Sequence, residues 1–296
     1  MSNFSQYFRL TGYKVWTASL LPALAGTTLP FWLRPPGFSF KAFAALAFLI
    51  LILSFHAGFS LLNAYFKNKT TAGQSKSGIL LIGLICLFTG VLIGLSINNH
   101  LRLNPYVYKN IFIVWILSTI IIGMLYVIPP FSFFKRTGGE TILCVGFGMM
   151  PLLGAYIVQA GDLTRTVYLA SLPMVVSTGL WVWISELIHR PTDKDSGYKT
   201  SVMLFPVRFA GRFVTPVLTL LIYLTLVAAV LGRSSLNPLS LTSMLSLIFA
   251  LKIIRISINE YEDNRKMQKA RRYAYLIHFV LCFIIILSSL STWPVR

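Results

Sequence analysis

The feature that most limits what this chain can become is a succession of apolar runs, each close to 20 residues long, separated by short basic connections. A hydrocarbon core about 30 Å thick is crossed by roughly 20 apolar residues in an α-helix, which rises about 1.5 Å per residue. Nine stretches meet that length: residues 13–32, 43–62, 78–97, 111–130, 140–158, 166–188, 211–231, 238–257 and 273–292. Inside lipid, backbone polar groups must be satisfied within each segment, so such a chain folds as a helical bundle. The expectation is an all-α integral membrane protein of nine transmembrane helices, with residues 1–296 forming one polytopic domain. Only 11% of the residues are charged, against about a quarter in a soluble domain, which excludes an ordinary globule.

The formal charge of +18 does not point to nucleic acid, because the basic residues sit in the short connections, where membrane orientation explains them. With the N-terminus cytoplasmic, all 26 Lys and Arg face that side except Arg34, Lys41, Arg102, Lys109, Arg165, Arg233 and Arg296. The positive-inside rule therefore predicts an inner or plasma membrane protein with its N-terminus in the cytoplasm and its C-terminus outside. Trp32 and Trp293 fall near the outer interface, and the polar opening MSNFSQYFRL argues against a cleavable signal. Cys86, Cys144 and Cys282 each lie in an apolar run and read as free thiols.

Against this background one polar stretch stands out, Ser185 to Thr200, SELIHRPTDKDSGYKT. Glu186, His189 and Asp193 share a face if the preceding helix continues, but Pro191 predicts that it stops, leaving a polar loop. The loops Leu62 to Gly78, LNAYFKNKTTAGQSKSG, and Tyr126 to Glu140, YVIPPFSFFKRTGGE, face the same side. Together they predict a cationic chamber for a phosphate or diphosphate head group whose tail stays in the bilayer. Charges that only orient the protein would leave the same pattern. Glu140 and Glu186, at the membrane border, need partners such as Lys135, Arg136 or a ligand. Gly83, Gly90 and Gly94 predict close helix packing in the third span, and Pro22 a kink in the first. His56 and His278 read as hydrogen-bonded interior histidines, and Glu260, Glu262 and Asp263 as an ion-paired helix end rather than a metal site.

Taken together, these loops resemble the UbiA-type intramembrane prenyltransferases, most closely the branch that prenylates dihydroxynaphthoate in menaquinone synthesis. The resemblance runs end to end. It is carried by RLTGYKVWTASLLPALAGT from Arg9 to Thr27 and by YVIPPFSFFKRTGGETILCVGFGMMPLLGAYIVQAG from Tyr126 to Gly161. The second stretch is similar to the family's Y-x-x-PP, R-G-x-GE and LG-x-Y-x-x-Q-x-G series. The resemblance implies a nine-helix bundle around a lipid-accessible central cavity, a prenyl diphosphate or other isoprenoid lipid as partner, and a small aromatic acceptor.

The aspartate motifs depart from the family. Its NDYFD appears here as Asn63, Ala64, Tyr65, Phe66, Lys67, and a later aspartate falls near Ala72 or Gly73. Its second motif appears as His189 and Asp193 before Gly197, Tyr198, Lys199 and Thr200. In the family these carboxylates hold two Mg²⁺ ions that neutralise the leaving diphosphate. Lysine in place of aspartate changes the local charge by two units, and each unit is worth on the order of 4 kcal/mol at ~4 Å and an effective dielectric near 20. The expectation is that Mg²⁺ dependence is weak or absent and that no metal ligand remains beyond Asp193. Lys67 and Asp193 are then the expected catalytic residues, and Asn63, Tyr65, Tyr126, Lys135, Arg136, Glu140, Glu186, His189 and Lys199 the substrate-binding ones. Two other readings stay open: a non-catalytic relative that binds an isoprenoid or anionic lipid or supports a partner enzyme, and a transporter.

Overall fold

A computed structural model describes residues 3–67, 75–101, 110–232 and 234–292. Lys69, Ala72, Gly73, Arg102, Lys109, Arg233, Trp293 and Arg296, which enter the sequence reading, lie outside the described residues. A short helix, Asn3–Leu10, precedes the bundle. Every expected span then has a helical counterpart: α1 Thr17–Leu33, α2 Ala42–Phe66, α3 Lys76–Leu101 and α4 Ile111–Val127. The rest are α5 Gly139–Ala160, α6 Arg165–Asp195, α7 Val207–Leu231, α8 Pro238–Asn259 and α9 Asn264–Leu290. Seven of these, α2, α3 and α5 to α9, are long and apolar enough to cross a membrane, and α4 is a shorter apolar helix.

The distribution of apolar residues is that of a protein dissolved in lipid. Phe48, Leu51, Leu152, Ile157, Met174 and Leu180 are fully buried between helices. Phe43, Leu81, Phe88, Val114, Leu117, Leu220, Leu224, Leu251 and Phe283 point outward and remain exposed. In water such a belt would drive aggregation, while hydrocarbon solvates it at no cost. The chain is an integral membrane protein.

Small residues set how closely the helices approach. A Cβ on Gly26 of α1 would lie 2.1 Å from the Leu152 carbonyl oxygen of α5, and one on Gly148 of α5 would lie 2.8 Å from Val175 Cα of α6. In α3, a Cβ on Gly90 would meet Phe55 at 2.6 Å and one on Gly94 would meet Ile116 at 2.7 Å, so these positions do serve close packing. Gly26→Ala is expected to destabilise the protein by about 2 kcal/mol, because the obstacle is backbone and cannot rotate away. Thermal unfolding in mild detergent measures this. Unchanged stability would mean that α1 and α5 separate freely.

Two expectations require correction. Helix α6 does not end before Pro191 but runs on to Asp195 with Pro191 inside it. Proline here removes one late donor, and the last turns are held by Thr192 Oγ1 donating to the His189 carbonyl at 2.7 Å and Ser196 N–H to the Thr192 carbonyl at 3.1 Å. Likewise Asn63, Tyr65 and Phe66 are the last turn of α2 rather than a loop, with Lys67 at its C-cap. The polar residues thus ride on helix ends, which fix their positions better than loops would.

Candidate functional site

The site lies at one end of the bundle, where α2 ends, α5 begins and α6 ends. Val127 closes α4, and the chain turns through Ser132, with a left-handed φ of 41°, into the short turn Phe133–Lys135. This connection is stitched to the one that follows α6. Lys199 N–H donates to the Lys135 carbonyl at 2.7 Å, and Thr137 Oγ1 donates to the Lys199 carbonyl at 3.1 Å. Gly138 N–H donates to Ser201 Oγ at 3.0 Å. Buried Glu140 receives both Ser201 N–H at 2.8 Å and Ser201 Oγ–H at 2.6 Å. Glu140 is therefore a clamp: each of its oxygens accepts one hydrogen bond that holds the 196–204 connection against the start of α5.

On this frame Phe134 forms a buried platform, with the Tyr126 and Tyr198 rings edge-on to it at 6.2 and 5.9 Å. Lys67 Nζ stands 4.7 Å and Lys135 Nζ 5.1 Å from the centre of the Phe134 ring, and Lys135 is also 5.7 Å from Tyr198. Two ammonium groups from different elements are thus drawn to one π-system, each contact contributing about 0.5–2 kcal/mol depending on its exposure. Burial and the Asp193 charge raise the Tyr198 phenol above its ordinary value, so it stays an O–H donor. Tyr198 N–H in turn donates to the Asp193 carbonyl at 2.9 Å.

Glu186 is half-buried and lies within electrostatic reach of Glu140, Asp193 and Lys67. Glu186 and the Thr200 hydroxyl interact through their side chains, and Asn63 Oδ1 and Arg190 Nη1 are buried without a hydrogen-bond partner among the described residues. Buried polar atoms are usually satisfied, so these orphans mark where a polar ligand would be welcome. Other expected residues stand further out. His189 is exposed, and its Nδ1 is 2.6 Å from the Ser185 carbonyl of its own helix. Arg136 and the Lys199 side chain are exposed, and Tyr65 packs edge-on to Phe66.

Below Asn63 and Tyr126 opens a cavity of about 240 Å³. Its walls include Phe55, Phe59, Ile122, Ile142, Phe147 and Met150, and its polar lining includes Ser19, His56, Ser60 and Thr119. A second hollow, of about 420 Å³, lies at the opposite end near Arg34, Asp162 and Thr164, far from the charged cluster.

Among the described residues no group of three or more His, Cys, Asp and Glu is placed to hold a metal ion. Both Glu140 oxygens accept from Ser201, and Lys67 stands within electrostatic reach of Glu186. The acids of the α8–α9 connection serve a helix end: Asp263 caps the N–H groups of Arg265 and Lys266, and Glu260 pairs with Lys266 at 2.9 Å.

No protein-family model matches the chain, and no curated protein matches it. Solved structures do. A structure of digeranylgeranylglyceryl phosphate synthase superposes with a TM-score of 0.68 at 14% identity, covering 98% of this chain and 100% of that one. The fold is the UbiA fold. The apo structure of a UbiA homologue from Aeropyrum pernix K1 matches with a TM-score of 0.66 at 13% identity, covering 90% of this chain and 97% of that one. An Archaeoglobus fulgidus UbiA homologue bound to GPP and Mg²⁺ gives a TM-score of 0.60 at 14% identity, covering 94% of this chain and 99% of its own.

Sequence reasoning did not single out Phe134 as the platform or Ser201 as the partner of Glu140. The signal for Phe134 was the aromatic run FSFF beside the basic pair Lys135 and Arg136. For Ser201 there was none, because its partner lies 61 residues away.

Proposed function

We propose that this protein is a divergent UbiA-type prenyltransferase of an inner or plasma membrane, with its N-terminus cytoplasmic. It transfers a prenyl group from an isoprenyl diphosphate to a small aromatic acceptor. The observation that carries this reading is the convergence of Lys67 and Lys135 on Phe134, above an apolar cavity that suits a prenyl chain. In this reading the two ammonium groups take the diphosphate, stabilising the charge that grows on it as the allylic C–O bond breaks. Asn63 Oδ1 accepts a hydrogen bond near the head group, Tyr126 lines the path below it, and the Asp193 backbone carbonyl holds the Tyr198 N–H, which keeps that ring beside Lys135. Arg136, His189 and Lys199 form the outer basic rim that draws the anion in. The resemblance to the dihydroxynaphthoate branch puts a bicyclic hydroxylated aromatic first among acceptors.

In the family, Mg²⁺ when bound neutralises the diphosphate; here the lysines would supply that charge. Geranyl diphosphate is therefore expected to raise the thermal midpoint of the purified protein equally in EDTA and in Mg²⁺. At one hundred times its Kd the stabilisation is about 2.7 kcal/mol. A shift seen only with Mg²⁺, at two ions per chain, would refute the lysine reading.

A second reading is favoured by one observation, the outward turn of His189 onto its own helix. A relative that binds an isoprenoid or anionic lipid without turnover has no use for that position. Product formed from geranyl diphosphate and any hydroxylated naphthalene would decide against it.

A further inference from the structure

The bundle holds two buried histidines whose Nδ1 is tied to a serine, and only one of them is complete. His278 Nδ1 is 2.9 Å from Ser177 Oγ, and its Nε2 lies 3.7 Å from Cys282 Sγ, so both ring nitrogens are occupied in the core. His56 Nδ1 is likewise 2.8 Å from Ser19 Oγ, but its Nε2 has no partner among the described residues, although the side chain is only 5% exposed. A lone pair left bare in an apolar interior costs free energy, so an orphan of this kind implies an occupant.

The tautomer follows from Ser19. Its Oγ–H donates to the Trp16 carbonyl at 3.0 Å, and a hydroxyl has one proton to give. With that proton assigned to the Trp16 carbonyl, Ser19 accepts from His56, Nδ1 carries the ring proton and Nε2 is an acceptor. The occupant that satisfies it is a donor.

The surroundings say what kind. His56 and Ser60 both line the 240 Å³ cavity, together with Phe55, Phe59 and Phe147, and the imidazole stacks on Phe147 with centroids 4.9 Å apart. Gly12 passes close over the Nε2 edge, where a Cβ would lie 3.3 Å from Nε2 and 3.0 Å from Ser60 Oγ. The chain thus covers this edge from the N-terminal side, while the imidazole itself lines the cavity. His56 is two turns deeper along α2 than Asn63, on the order of 10 Å from the head-group level. A prenyl tail in this cavity would still leave Nε2 unsatisfied, so its donor comes from a second molecule beside the tail.

We infer that His56, oriented by Ser19, is a recognition site for the hydroxyl of a planar aromatic ring, the acceptor of the transfer reaction. The inference rests on the prenyltransferase reading for its purpose, though not for its geometry. His56 Nε2 accepts the O–H hydrogen bond and aligns the ring between Phe147 and the other aromatic walls, and Ser19 is the positioning residue that fixes the tautomer.

The test uses the full chain in lipid nanodiscs and two probes that differ in one donor, 1-naphthol and 1-methoxynaphthalene, with empty nanodiscs subtracted. Wild type is expected to bind 1-naphthol roughly tenfold more tightly than its methyl ether, the effect of about one good hydrogen bond. His56→Phe should bring the ratio to within about twofold, and His56→Gln, which keeps an acceptor, should restore much of it. The ratio is measured within each variant, so partial misfolding does not blur it. Equal binding of the two probes by wild type, or a preference that survives His56→Phe, overturns the inference. A geranyl diphosphate titration of wild type separates the two claims. Donor binding without a hydroxyl preference refutes only the histidine site. A hydroxyl preference without donor binding supports that site and refutes the prenyltransferase reading.

Discussion

Lys67→Ala is expected to weaken binding of geranyl diphosphate by about 1.5–3 kcal/mol, roughly ten- to a hundredfold, the range for a hydrogen bond to a charged group. Lys67 stands where the UbiA pattern has an aspartate, and its Nζ lies 4.7 Å from the Phe134 ring that also carries Lys135. If the pair replaces metal charge, removing half of it removes much of the anion's stabilisation. If the motif has simply decayed, the change should be nearly silent. Titrations of both proteins with one donor at fixed salt decide the matter, since screening weakens exposed contacts. Unchanged affinity in a folded Lys67→Ala variant would leave the non-catalytic reading ahead. The double change Ala64→Asp with Lys67→Asp restores only part of the first motif and leaves His189 in place, so it should not yield a Mg²⁺-dependent enzyme.

The bundle was legible because hydrocarbon imposes a length, and each of the nine apolar runs became a helix, although α6 runs on to Asp195 rather than residue 188 and α9 starts at Asn264 rather than residue 273. Two of the extended ends share one cause. Pro191 and the run from Asn63 to Phe66 were read as loop because they are polar or helix-breaking, yet α2 runs to Phe66 and α6 to Asp195, the last turns of α6 held by local hydrogen bonds. Propensity is a weak prior where a helix end is held by its neighbours. For the site, residue types were legible and directions were not. Spacing puts His189 near Glu186, but His189 is exposed while Glu186 is half-buried. The cavity wall at Phe147 could not be foreseen either, because the π-helical segment Cys144–Met149 shifts the register of α5.

Glu140→Ala is expected to destabilise the protein by about 3 kcal/mol, since it removes a carboxylate that accepts two charge-assisted hydrogen bonds and leaves the Ser201 N–H without its acceptor. Thermal unfolding should fall by roughly 6–12 °C. Because the clamp joins the start of α5 to the connection that carries Lys199 and Thr200, loosening it should also free Lys135 from its bond with Lys199 N–H. Donor affinity is therefore expected to fall with stability. The Ser201→Ala change removes one of the two bonds and keeps the backbone one, so alone it should cost about 1.5 kcal/mol. With Glu140 already gone, Ser201→Ala should cost clearly less than it does alone, since the hydroxyl has lost its acceptor and keeps only the Gly138 N–H. Additive losses in this double-mutant cycle would show that Glu140 acts through some contact other than Ser201, and the account of a clamp would fail while the lysine platform stood untouched.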